Sequence, residues 1–169
     1  TNVLKVALAI APEAPDGKSQ VVLYDPGVGT DNLLDKISGG LSGAGLSKNV
    51  QDAYRFLVYN YTSGDDIYFF GFSRGAYTVR STAGLIRKCG LLYKEHADRL
   101  RDAFKLYRKR DHSPDTREAL DFRDRYSRSP IRIRFIGVWD TVGSLGVPLD
   151  AFRFLSRSRY EFHDVSLSR

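Results

Sequence analysis

Cysteine is almost absent from this sequence: Cys89 is the only one among 169 residues. An internal disulfide is therefore excluded, and the place of Cys89 in a helix-like pattern beside Gly90 marks it as a small buried hydrophobe rather than a reactive thiol. No apolar run reaches the length of a membrane span, and the N-terminus lacks the charged-then-apolar pattern of a signal peptide. Internal repeats, low-complexity tracts and linker-like composition are missing too. The chain accordingly reads as one domain, residues 1–169. The glycine-rich stretch Gly39 to Gly45 has no lysine of the kind a phosphate loop needs, which removes nucleotide binding there. No motif for nucleic acid is present, and neither a cofactor nor a metal is expected.

A hydrophobic content of 42% and a charged content of 27% are those of an ordinary globular chain. Net charge is +6, a balance that favours anionic partners such as a phospholipid surface. Between Lys94 and Arg128, however, basic residues alternate with Asp98, Asp102, Asp111, Asp115, Glu118, Asp121 and Asp124. That alternation describes solvated helix faces of mixed charge.

In order, Thr1 to Ile10 is a helix with Thr1 or Asn2 as cap, Ala14 to Lys18 a turn, and Gln20 to Tyr24 a short strand of the kind buried in a parallel sheet. Asp25 to Thr30 is a loop at its carboxyl end. Ser47 caps a helix through Asn60, with Val50, Ala53, Tyr54, Leu57 and Val58 on one face. Ser63 to Asp66 turns the chain into Ile67-Tyr-Phe-Phe-Gly71-Phe72-Ser73-Arg74-Gly75-Ala76.

This last stretch organises the rest. An apolar strand runs into Gly-x-Ser-x-Gly, and a helical stripe of Ala76, Val79, Ala83 and Ile86 follows until Gly90. Strand, sharp turn and helix are what a nucleophile elbow requires, the turn lifting the Ser73 hydroxyl above the sheet edge. The alternative is a structural turn with an idle serine. Lys94 to Tyr126 supplies two further helical segments, split near Asp111 to Pro114, with Ser113 as cap of the second. Such an insertion forms either a lid or plain crossover helices. Ile131 to Trp139 is the next strand, and Asp140 follows at its end.

A serine hydroxyl needs a base, and the base needs a carboxylate. In α/β-hydrolase order the carboxylate and then the histidine come after the serine. Asp140 fits the carboxylate, with a turn-capping aspartate as the alternative. Of three histidines, His96 and His112 precede Asp140 and break that order, while His163 has the order but no recognisable strand before it. The oxyanion hole would use the backbone N–H of Arg74 together with a second donor from an earlier loop.

The residues assembled so far resemble the α/β-hydrolase domain family of bacteria and fungi that includes the type VI secretion phospholipase effectors. The matching stretches are Tyr24-Asp-Pro-Gly-Val-Gly-Thr30, Asp52-Ala-Tyr-Arg-Phe56, Gly71-Phe-Ser-Arg-Gly-Ala-Tyr77 with Ala83-Gly-Leu-Ile-Arg87, and Gly137-Val-Trp-Asp-Thr-Val-Gly143. The resemblance implies Ser73 as nucleophile and Asp140 as triad acid. It also implies a lipid or small ester substrate, and a protein that is cytoplasmic or is delivered by a secretion system without a cleaved signal peptide. Family members begin with a strand ending in an Asp-Gly-Thr-type loop and carry their histidine in a Gly-Val-His-Ser-Asp-type segment, neither of which this sequence contains.

The expected fold is thus α/β: a mostly parallel, hydrolase-like sheet flanked by helices, with a helical insertion after the nucleophile helix, truncated at both ends. The expected function is ester hydrolysis of phospholipase type, the sequence as it stands being inactive for want of a base. A non-catalytic module of the same fold, presenting a basic surface to a protein partner or an anionic membrane, is the competing expectation.

Overall fold

The computed structural model describes residues 1–27, 43–109 and 113–139. Helix α1 (Asn2–Ala9) starts where Thr1 accepts a hydrogen bond from the Leu4 N–H, the capping that its position predicts. The turn at Ala14 to Lys18 also forms, closed by the Ala14 N–H on the Lys18 carbonyl at 2.8 Å. The strand expected over Gln20 to Tyr24 does not. Those residues enter no ladder, and Val21, Val22 and Leu23 are exposed. Apolar content makes a segment suitable for a sheet, but a strand exists only where a neighbour takes up its backbone groups.

Helix α2 (Gly43–Asn60) begins inside the glycine-rich stretch, four residues before the expected Ser47 cap. Its buried face is the one the spacing predicts: Val50, Tyr54 and Val58 are fully buried. Strand β1 (Ile67–Phe72) leads into helix α3 (Arg74–Cys89), which Gly90 ends at φ 71°. A side chain at Gly90 would strike the Ser127 Cβ at 2.7 Å, so glycine is required there on both counts.

Beyond Gly90 lie β2 (Leu91–Leu92), a 3-10 segment η1 (Lys94–Arg99), α4 (Leu100–Tyr107), α5 (Arg117–Tyr126), β3 (Ser127–Arg128) and β4 (Ile133–Trp139). The cap of α5 is Thr116, whose hydroxyl accepts from the Ala119 N–H. Ser113 instead accepts from Asp115 within the preceding turn, which corrects the expected start of this helix. The antiparallel pairing of β2 with β3 is too short to leave a periodic signal in the sequence.

The sheet among the described residues is a parallel pair, β1 beside β4, in register from Tyr68 with Phe135 to Phe72 with Trp139. Helix α3 packs on both strands, and α2 packs on α3. The core joins Val50, Tyr54 and Val58 to Leu85, Ile86, Cys89, Leu91, Leu92, Leu100, Ala103 and Leu106. Tyr54 fixes it: its hydroxyl donates to the Gly90 carbonyl at 2.9 Å and accepts from the Leu92 N–H at 3.1 Å. Because α4 contributes three of these core residues, the segment after α3 behaves as packed crossover helices, with charges paired at the surface, as in Lys109 with Glu118 and Arg117 with Asp121. The outcome is a mixed helix–strand fold around a small parallel sheet.

Candidate active site

The turn between β1 and α3 is tight for a steric reason located at Gly71. A Cβ on this residue would lie 2.6 Å from the Gly75 carbonyl carbon and 2.7 Å from the Ala76 nitrogen, and closer still to the Gly75 oxygen. All three are backbone atoms, which cannot swing aside. The end of the strand and the first turn of the helix therefore meet only because Gly71 has no side chain. Gly75 differs: nothing within 4 Å would meet a Cβ there. Of the two glycines flanking the serine, the first is the one that the packing demands.

Ser73 occupies the bend at φ 54° and ψ −116°, and among the described residues it is the non-glycine residue with positive φ. Such a conformation costs about 1–3 kcal/mol and persists where the surroundings over-determine it. Its carbonyl accepts from the Ala76 N–H at 2.9 Å, closing the first helical turn, while its side chain makes no capping bond to the helix. The hydroxyl is thus not spent on the helix that it starts. Arg74 is the first residue of α3, where the N–H groups lack intrahelical acceptors and the helix end carries partial positive charge.

The second strand arrives at the same place. The Ser73 N–H donates to the Trp139 carbonyl at 2.8 Å, so β4 ends beside the bend, and Asp140 is the next residue in the chain. Asp140, His112 and His163 lie outside the described residues, as do 28–30 of the expected loop. His96 is described, and it belongs elsewhere. It sits on η1 against the rings of Tyr126 (5.3 Å between centroids) and Tyr93 (6.5 Å), next to β2. β2 follows the carboxyl end of α3, and a helix of 16 residues separates that end from Ser73 by about 24 Å.

Burial keeps the Cys89 thiol and the Tyr77 phenol of α3, and the Tyr107 phenol of α4, in their neutral forms. Burial pushes the Cys89 thiol up to about 12, and its Sγ donates to the Ala103 carbonyl at 3.3 Å, the inert role expected of it. Burial likewise pushes the Tyr107 phenol up to about 12 and raises that of Tyr77. Among the described residues no group of His, Cys, Asp and Glu could hold a metal ion, and no helix is long and apolar enough to cross a membrane. Phe72 and Trp139, which stand in the sequence motifs immediately before Ser73 and Asp140, carry no role that the sequence alone assigns. Their pairing at the strand ends becomes visible once the register is known.

All of residues 1–169 match the family described as the T6SS phospholipase effector Tle1-like catalytic domain. The chain belongs to this family. A relative in Saccharomyces cerevisiae, described as uncharacterized protein YEL023C, is 31% identical over 172 residues, which cover 89% of this chain and 25% of the relative. The chain therefore spans about a quarter of that relative's length. No solved structure matches it.

Proposed function

We propose that this Tle1-like domain belongs to a serine hydrolase of phospholipid esters, with Ser73 as nucleophile, the Arg74 N–H as oxyanion donor and Asp140 as the acid of a Ser-His-Asp triad. The observation that carries this reading is the backbone of Ser73, held at φ 54° and ψ −116° between β1 and α3 with Gly71 pressed against the helix start. A strained bend of this kind presents a hydroxyl at the edge of a sheet, where an acyl group can reach it. Membership of a family named for phospholipase catalytic domains supports the lipid substrate. The hydrogen bond between Ser73 and Trp139 supports Asp140, since it brings the residue preceding that acid to the bend.

In the proposed reaction the Ser73 oxygen adds to the ester carbonyl carbon while its proton passes to a histidine base. The carbonyl oxygen becomes anionic and is held by the Arg74 N–H at the positive end of α3. Collapse breaks the ester bond and expels the lysolipid alcohol, which takes the proton from the base. Water then adds to the acyl-serine by the same route, releasing fatty acid and restoring the hydroxyl. Asp140 orients the imidazole and stabilises its charge. His96, on η1 beyond the far end of α3, is too distant from Ser73 to serve, so the base is assigned to a histidine outside the described residues.

The test is labelling of the full-length protein with a fluorophosphonate, followed by peptide mapping. An adduct on Ser73, lost in Ser73→Ala, is expected, together with fatty-acid release from phospholipid vesicles that falls on the order of 10⁴-fold in Asp140→Asn. A folded protein that takes no adduct at Ser73 would instead be a non-catalytic module of this fold.

A further inference from the structure

On one face of the parallel pair the register sets Tyr68 beside Phe135, Phe70 beside Gly137 and Phe72 beside Trp139. Alternation puts all six on the same side, so one side of the sheet is an aromatic stripe. Gly137 keeps it level. A Cβ there would meet the Phe135 ring at 2.8 Å and the Phe70 ring at 3.0 Å, and those two rings pack with centroids 5.5 Å apart. Tyr68, Phe135, Phe72 and Trp139 are all exposed on this face, and the stripe finishes with Phe72 and Trp139 at the strand ends that carry the site. Each directly precedes a proposed catalytic residue, and the backbones are joined there by the Ser73–Trp139 bond.

We infer that Phe72 and Trp139 form the floor that receives the acyl chain of the substrate and so determine its chain-length preference; this rests on the serine-hydrolase reading above. The occupant is fixed by chemistry and by position. The two aromatic side chains that the register pairs offer mainly apolar area, with the Trp139 indole N–H as their single donor, which suits methylenes better than a charged headgroup. They lie at the residue positions flanking the attacking hydroxyl, so the segment of substrate in reach is the part bonded to the carbonyl under attack. Phe70 and Phe135, packed on each other over Gly137, continue the same apolar face away from the strand ends.

The experiment compares kcat/KM of the full-length protein for decanoyl and butyryl p-nitrophenyl esters. Phe72→Ala and Trp139→Ala should each lower the decanoyl-to-butyryl ratio about tenfold, mostly through KM for the longer ester, because each removes apolar area that only the longer chain covers. Phe72→Leu and Trp139→Phe should restore most of the ratio. Tyr68→Ala, at the other end of the same strand, controls for general loosening of the sheet. A ratio unchanged in both alanine variants while Ser73 still takes the fluorophosphonate would overturn the acyl floor alone. A ratio that falls as far in Tyr68→Ala would overturn it too, leaving a packing effect. Failure of Ser73 to label in the unmutated protein would overturn the hydrolase reading and this inference with it.

Discussion

Replacing Ser73 by glycine should make the protein more stable, and by an amount that the bend dictates. At φ 54° and ψ −116° a residue with a Cβ bears about 1–3 kcal/mol of backbone strain, which glycine does not. Against this, glycine has more freedom to lose on folding, which costs about 0.5–1 kcal/mol. The net expectation is a gain of about 1 kcal/mol. For a domain of this size that is roughly 2–4 °C in Tm. Ser73→Ala supplies the comparison, because it removes the hydroxyl and whatever that group bonds but keeps the Cβ in the same strained conformation. Alanine should therefore stay within about 0.5 kcal/mol of the unmutated protein, and the difference between glycine and alanine isolates the backbone. Thermal and denaturant scans on matched preparations measure it, with an unchanged m-value as the check that only stability has moved. If glycine and alanine shift Tm equally, or glycine lowers it, Ser73 is not strained and the physical case for a functional serine at this bend collapses.

The remaining predictions concern the supports of the bend and the core. Gly71→Ala drives a Cβ into the backbone of Gly75 and Ala76 and should cost roughly 3 kcal/mol, the top of the overpacking range; Gly75→Ala meets nothing and should be neutral or stabilise by up to about 1 kcal/mol, both read from denaturant midpoints. Tyr54→Phe leaves the Gly90 carbonyl and the Leu92 N–H buried without their partner and should lower stability by about 2–4 kcal/mol with the m-value unchanged. Cys89 should resist thiol reagents in the folded protein at pH 8 and react once it is unfolded in guanidinium. Because burial raises this thiol from 9.0 to about 12, the unfolded chain releases its proton first as pH rises, so its contribution is intact below pH 9 and is lost between pH 9 and about 12. Cys89→Ala should delay the alkaline loss until the tyrosines begin to ionise near pH 10, seen as a flatter stability–pH curve from pH 9 to 10.

What could be read from residue order was whatever rests on local contacts. The face of α2 was legible because Val50, Tyr54 and Val58 repeat at the helical period, and the β1–α3 bend because glycine, serine and an aromatic strand occur in a fixed order. Cys89 was placed correctly by its neighbours. The second bond made by Tyr54, from the Leu92 N–H 38 residues away, left no trace in its own surroundings, and neither did the pairing of Leu91 and Leu92 with Ser127 and Arg128. Gln20 to Tyr24 was misread for the converse reason: its apolar pattern is local, but a ladder needs a partner that no local pattern can promise. The cap of α5 shows a smaller version of the same limit. Ser113-Pro114 has the composition of a helix start, yet the Ser113 hydroxyl is used within its own turn and Thr116 takes the helix.

The two ends of α3 show how one helix can separate structural from chemical demands. At its carboxyl end the backbone carbonyls are taken up: that of Gly90 accepts from Tyr54, and the Arg123 guanidinium donates to those of Arg87 and Lys88, although the neighbouring Ser127 hydroxyl is buried without a hydrogen-bond partner. Cys89 is buried there with its proton retained. That end joins α2, β2 and α4 into the core, and its satisfied groups contribute stability through burial and hydrogen bonds. At the amino end the balance is reversed. Ser73 is strained, its side chain does not cap the helix, and exposed aromatic rings flank it on both strands. A fold optimised only for stability would place glycine at Ser73 and a capping residue free of strain. Backbone strain placed at the one non-glycine residue that starts the helix, where glycine would remove it, is what a functional site predicts and what an idle turn does not. The glycine and alanine variants of Ser73 measure that cost directly.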